Sequence, residues 1–124
     1  MPHAITLTAN QILPPAGTGI LVRTDPNYQY ENNVKTDRVD GIRADIRALP
    51  DLSPVTVKVP GAIAPMSNDE LERLNGQAHF VWVEFTNLSG QIYVDRKVNE
   101  ARISATATSI KVVDAPDDID LDLG

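Results

Sequence analysis

The chain has 124 residues and no cysteine, which fits one domain with its own core and excludes disulfides, thiolate nucleophiles and cysteine–zinc sites. Its formal net charge of −6 is unevenly placed: residues 114–124 hold five acids and no base, so the body carries twelve acids against eleven bases and is close to neutral, unlike a protein that grips duplex DNA by charge alone. No run approaches the ~18 apolar residues of a membrane span, and Met1 to Gln11 lacks a basic stretch followed by an apolar one, so a cytoplasmic protein without a secretory signal is expected.

From the N-terminus, Ile5 and Leu7 alternate with Thr6 and Thr8 as in a short strand, and Pro14-Pro15, Gly17 and Gly19 then punctuate the chain. Ile20 to Arg23 reads as a strand, Asp25-Pro26-Asn27 as a turn, and Asn32-Asn33 as another. Across Lys35 to Leu49, Ile42, Ala44, Ile46 and Ala48 share one face and Arg43, Asp45 and Arg47 the other, the period of a half-buried strand. Gly41 interrupts it as a bulge or bend. A helix is the competing reading, because Ala and Arg are good helix formers.

Pro50 to Pro54 is a loop, and Val55-Thr56-Val57-Lys58-Val59 is a strand closed by Pro60-Gly61. Ser67, with Glu70 three residues on, opens the one expected helix as a capping box, and Asn75-Gly76 stops it. At two turns, that helix must dock to persist. Gln77 to Thr86 is a strand with Val81, Val83 and Phe85 on one face and Phe80, Trp82 and Glu84 on the other; a turn at 87–90 and a return strand over Gln91 to Val94 complete a hairpin. Arg102 to Val113 is the last long strand, and Pro116 begins an acidic tail expected to be disordered.

The order of elements predicts a mainly β domain over residues 1–115, an OB-like Greek-key barrel of five to six strands with one short helix between the third and fourth. An open sheet or a β-sandwich would produce a similar string. Residues 116–124 form the tail.

Catalysis has little support. His3 and His79 are far apart, and no nucleophile elbow, phosphate loop or zinc-protease motif is present. The chain reads as a non-enzyme with no catalytic residue and no cofactor. Asp117, Asp118, Asp120 and Asp122 lack the central Gly and later Glu of a calcium loop, so no metal is expected. Interleaved with Ile119, Leu121 and Leu123, they make instead an acidic–hydrophobic strip that can solubilise, recruit a partner or shield the protein's own basic groove.

Single-stranded nucleic acid needs rings to stack on and cations to follow its backbone. Tyr28, Tyr30, Trp82 and Tyr93 are candidate rings; Lys35, Arg38, Arg43, Arg47 and Lys58 are candidate cations. Trp82 has a competing use as core. If Val55, Val57 and Val59 point inward, Lys58 points out, and Arg43 and Arg47 can lie beside it as a basic strip.

The runs VKTDRVDGIRADIRAL, VTVKVPG, VWVEFTNLSGQIY and ISATATSIKVV resemble those of small OB-fold-like single-stranded-DNA-binding and accessory proteins of Gram-positive plasmids and conjugative elements, over residues 20–113. The resemblance implies an accessory role in replication or transfer of a mobile element. The tail is similar to the partner-recruiting tails of bacterial and phage single-stranded-DNA-binding proteins, but ends Leu-Asp-Leu-Gly without their terminal Pro-Phe. The expected partners are single-stranded DNA, replication or transfer proteins through the tail, and further copies of the chain, with no membrane. The alternative is a structural or protein-interaction module, an adaptor or small virion protein, without nucleic-acid affinity.

Overall fold

The computed structural model describes residues 5–14, 17–97 and 99–115. Among them run β1 (Ile5–Leu7), α1 (Ala9–Ile12), β2 (Thr18–Glu31), β3 (Val34–Ala48), β4 (Ser53–Val59), α2 (Asn68–Gly76), β5 (Trp82–Thr86), β6 (Ser89–Asp95), β7 (Glu100–Thr106) and β8 (Ser109–Val113). The strands form one sheet in the order β1-β6-β7-β4-β3-β2-β5-β8. The domain is mainly β, with the expected short helix as α2 and a single further turn of helix as α1. The ladder has two ends, at β1 and β8, so the strands form an open eight-stranded sheet, not a closed barrel.

The open sheet is strongly curled. Asn87 and Leu88 alone join β5 to β6, five places apart in the sheet. Five strand spacings would cover about 24 Å if flat, whereas the three steps from Thr86 to Ser89 reach about 11 Å. Inside the curl pack Leu21, Ile46, Val57, Val59 and Val83, all essentially inaccessible, with Ile42, Ala44, Val55 and Phe85. The alternation over residues 42–48 of β3 and 55–59 of β4 selects this face: one residue in two is apolar, and those are the buried ones. Each such aliphatic side chain contributes about 1.5–3 kcal/mol by leaving water.

Three local expectations change. Asp25-Pro26-Asn27 is no turn: it lies within β2, where the register with β3 shifts between Pro26 and Tyr28. Proline is tolerated there because a bulge leaves its missing N–H without consequence. The expected hairpin over 77–94 does not form: β5 pairs with β2 and β8, while β6 pairs with β1 and β7. The strand expected over 102–113 is two. At its break, Ala107 N donates to Lys58 O at 3.0 Å and Thr108 N to Thr86 O at 2.9 Å. The chain thus passes from β4 to β5 with hardly a break in its extended course, which a reading of periodicity alone merges into one element.

Helix α2 docks by the wholly buried Leu71, and the Ser67 hydroxyl accepts from Glu70 N at 3.2 Å. The Glu70 carboxylate does not complete the expected capping box; it binds the Arg73 guanidinium, which holds it below its ordinary pKa. The helix also finishes the edge of β2. Beside Leu21 and Thr24, where β5 no longer runs, Asn68 Oδ1 accepts from Thr24 N and Asn68 Nδ2 donates to Thr24 O, both at 2.9 Å. Asn75 Nδ2 donates to Leu21 O at 3.0 Å. Two asparagines thereby stand in for a missing strand.

Candidate nucleic-acid interface

On the outer face of β3 and β4 the register sets Arg43 opposite Lys58, Asp45 opposite Thr56 and Arg47 opposite Pro54. The inward partners of these residues are core, so the outward ones are held in a row by packing beneath them. Arg43, Arg47 and Lys58 are exposed, and none has an acidic partner within ion-pair distance among the described residues. Asp45, the one carboxylate between them, accepts from Thr56 Oγ1 at 3.2 Å. Asp25, across from Arg43 on β2, is held by Arg23 at 3.1 Å, a contact that raises the Arg23 pKa. Like charges directly opposite on neighbouring strands destabilise a sheet, and Arg43 and Lys58 are such a pair. Beside them, where β4 and β7 diverge, a groove of about 490 Å³ is lined by Arg43, Thr56, Ile103 and Ser104 among others.

Strands β2 and β3 then extend beyond the rest of the sheet. β5 accompanies β2 only over Thr18–Ile20, and β4 accompanies β3 only as far as Ile42. Beyond Thr24 and Ile42, β2 and β3 continue as a two-stranded arm. Its tip is the two-residue turn Asn32-Asn33, with φ of 52° and 64°, the left-handed pair of a type I′ hairpin that Asn adopts readily. Thr36 Oγ1 donates to Gln29 O at 2.7 Å and Asn27 Nδ2 to Asp40 O at 3.2 Å, bracing the bulged register. At the base, Gly41 has φ of +83°, and a Cβ there would stand 2.1 Å from Val59 O. The expected bend at Gly41 is thus the point where the arm departs from β4.

Four of the expected site residues lie on the arm. Tyr30 is 66% exposed and Tyr28 half-buried. The Lys35 ammonium sits 4.3 Å over the Tyr28 ring, a cation–π contact, and Arg38 pairs with Glu31. Both cations of the arm are therefore already engaged. With Asp25, Glu31, Asp37 and Asp40 against Lys35 and Arg38, residues 25–41 carry a net −2.

Trp82 is corrected. It is 6% exposed and packs with Ile20 and Leu49, flanked by Leu52 and Val113, in a small second core on the outer face. A ring so covered offers no face to a base. It falls on the face where the alternation put it, but the loop after β3 folds over it. Phe80, its expected neighbour, is exposed. Tyr93 lies opposite Arg102 in the β6–β7 ladder, its side chain outside what the structure describes. Asp117, Asp118, Asp120 and Asp122 lie outside the described residues. The arm itself was not foreseen; the signal for it was Asn32-Asn33 flanked by Tyr28, Tyr30 and Val34. Among the described residues no group of three or more His, Asp or Glu could hold a metal ion, and no helix is long and apolar enough to cross a membrane. Comparison with protein-family models, with curated proteins and with solved structures returns no match.

Proposed function

We propose that the chain is a single-stranded-DNA-binding module of OB type, an accessory protein for replication or transfer of a mobile genetic element. The connectivity supports the OB reading. β2, β3, β4, β5 and the β7–β8 run make five strands, with β4-β3-β2-β5 contiguous, β7 parallel to β4 and β8 beside β5. Helix α2 falls between the third and fourth of them. OB folds are partly open barrels that bind oligonucleotides across their second and third strands and the loops after the first and fourth. Counted this way, the second and third strands are β3 and β4, and the first loop is the arm.

The observation that carries the reading is the exposed pair of Arg43 opposite Lys58, with Arg47 on the same face and, among the described residues, no carboxylate within ion-pair distance of any of them. A phosphate backbone laid across the face would relieve that repulsion, with Tyr30 and Tyr28 positioned on the arm for stacking. The test is anisotropy of a labelled oligo-dT with the full chain at several salt concentrations. Arg43→Ala with Lys58→Ala is expected to weaken binding and to flatten the slope of log K against log salt by about 1.4, as each single-strand phosphate contact contributes about 0.7. Unchanged affinity and slope would dispose of this face as the binding site. Trp82 fluorescence would report on the small outer core rather than on stacking.

A second reading, a protein-interaction module without nucleic-acid affinity, draws on the arm, which exposes Tyr30, Val34 and Val39 with no strand on either flank among the described residues. It predicts flat anisotropy at low salt and a discrete assembly formed through the arm.

A further inference from the structure

The parallel ladder between β4 and β7 consists of two residue pairs, Val57 with Ala105 and Lys58 with Thr106. Before them the strands part, and the groove of about 490 Å³ opens between Pro54, Val55 and Thr56 on one side and Glu100, Ala101, Ile103 and Ser104 on the other. The parting uncovers apolar surface on what should be the core side. Ala105 is 1% exposed, yet Ile103, two residues earlier on the same face of β7, is 37% exposed, and Val94 on the neighbouring strand is exposed as well. Arg43 borders the outer mouth.

We infer that this slot accepts residues 118–123 of a second copy of the chain as an added strand. Asp118-Ile119-Asp120-Leu121-Asp122-Leu123 alternates acid with aliphatic at every step, the period of a strand with one charged and one apolar face. The stretch of β4 without a β7 partner, Ser53 to Thr56, is about 13 Å long and can pair four of these six residues. Such a segment turns its Ile and Leu side chains to Ile103 and Val94 and its carboxylates to Arg43 and Lys58. Strand addition to an open edge is a recurring mode of peptide capture, in which main-chain bonds give affinity and alternate side chains give specificity.

Reach selects a second copy over the same one. Val113 and Ser104 lie nine residues apart on the β7–β8 run. At about 3.3 Å per residue that is about 30 Å of extended chain. The steps from Val113 to Asp118 span about 17 Å when fully stretched. The tail of one copy filling the slot of the next is a head-to-tail contact, which makes rings or open chains. The inference needs no nucleic acid and stands whether or not the chain binds DNA.

The test is sedimentation velocity of the full chain without nucleic acid, over a range of concentrations, against full-length Ile119→Asp with Leu121→Asp. The wild type is expected to self-associate and the variant to stay monomeric with an unchanged circular dichroism spectrum. A labelled peptide of residues 115–124, added to that variant, is expected to bind, and to bind at least about tenfold more weakly when Ile103→Lys is added to the acceptor. A wild type monomeric at every concentration, association that survives the tail substitutions, a peptide that does not bind, or binding indifferent to Ile103→Lys would each overturn the inference. Peptide binding beside a monomeric wild type would mean that each copy fills its own slot, and would overturn the second-copy assignment.

Discussion

The β2–β3 hairpin contains two regions built from the same pair of strands and held under opposite conditions. From Thr18 to Thr24 and from Ile42 to Ala48 it is walled by β5, α2 and β4; Thr18 to Leu21 is buried without interruption, and over Ile42–Ala48 every second side chain is buried. From Asp25 to Gly41 no other described strand pairs with it, and Tyr30, Val34 and Val39 are exposed. A free two-stranded ribbon is marginal on its own, so the arm keeps its form through its tight turn, the Thr36 and Asn27 side-chain bonds and its anchorage in the sheet. The walled half carries stability and the free half is available for contact. Substitutions should therefore separate cleanly into those that unfold the protein and those that alter only what it binds.

The largest effect is expected at Trp82. Removing a buried indole from between Ile20 and Leu49 should cost about 3–5 kcal/mol, read as a lower denaturant midpoint at an unchanged slope. Tyr30→Ala is its counterpart on the arm: within about 0.5 kcal/mol in stability, but a loss of about 1–3 kcal/mol in oligo-dT affinity if the ring stacks on a base. A Tyr30→Ala protein that melts early, or a Trp82→Ala protein that does not, would erase the distinction between the two regions.

Gly41 marks their boundary. Gly41→Ala forces a side chain into a left-handed backbone conformation and against Val59 O, and should cost about 3 kcal/mol. Asn68→Ala comes next. It strips the only partners that α2 offers the Thr24 N–H and C=O, and should cost about 1–3 kcal/mol. Hydrogen exchange is expected to quicken first at Thr24, where β2 leaves its neighbours, and later at Ile46, deep in the core.

How far the sequence was legible follows from the same contrast. The faces of β3 and β4 were readable because alternation reports burial on one side, and that placed Arg43, Arg47 and Lys58 together before any register was known. Helix α2 was readable from Ser67, Leu71 and Gly76. Pairing partners were not. Nothing local in Asn87-Leu88 distinguishes a hairpin from a crossing between distant strands, and nothing at Ala107-Thr108 marks a change of neighbour. Trp82 stayed open between platform and core because its cover, Leu49 and Leu52, comes from a loop thirty residues earlier. The arm escaped because Pro26 has the signature of a turn, and only the bulge beside it lets a proline sit inside a strand.

The smallest expected effect concerns that same loop, which closes over Trp82. Asp51 Oδ1 accepts from Ser53 N at 3.2 Å and from Ser53 Oγ at 2.6 Å, and these bonds hold the carboxyl below its ordinary pKa. A depressed carboxylate contributes stability that is fully present above its unfolded-state pKa and is lost as pH falls through the lower, folded-state one. Asp51→Asn should therefore leave the acid limb of the stability profile shallower, with little change at neutral pH, because the amide oxygen still accepts from Ser53. Intrinsic Trp82 emission, followed between neutral and acid pH in both proteins, reads the loop directly. An early red shift in the wild type that disappears in Asp51→Asn would tie the loop's closure to that carboxylate. Coincident curves would mean that Leu49 and Leu52 hold the cover by packing alone.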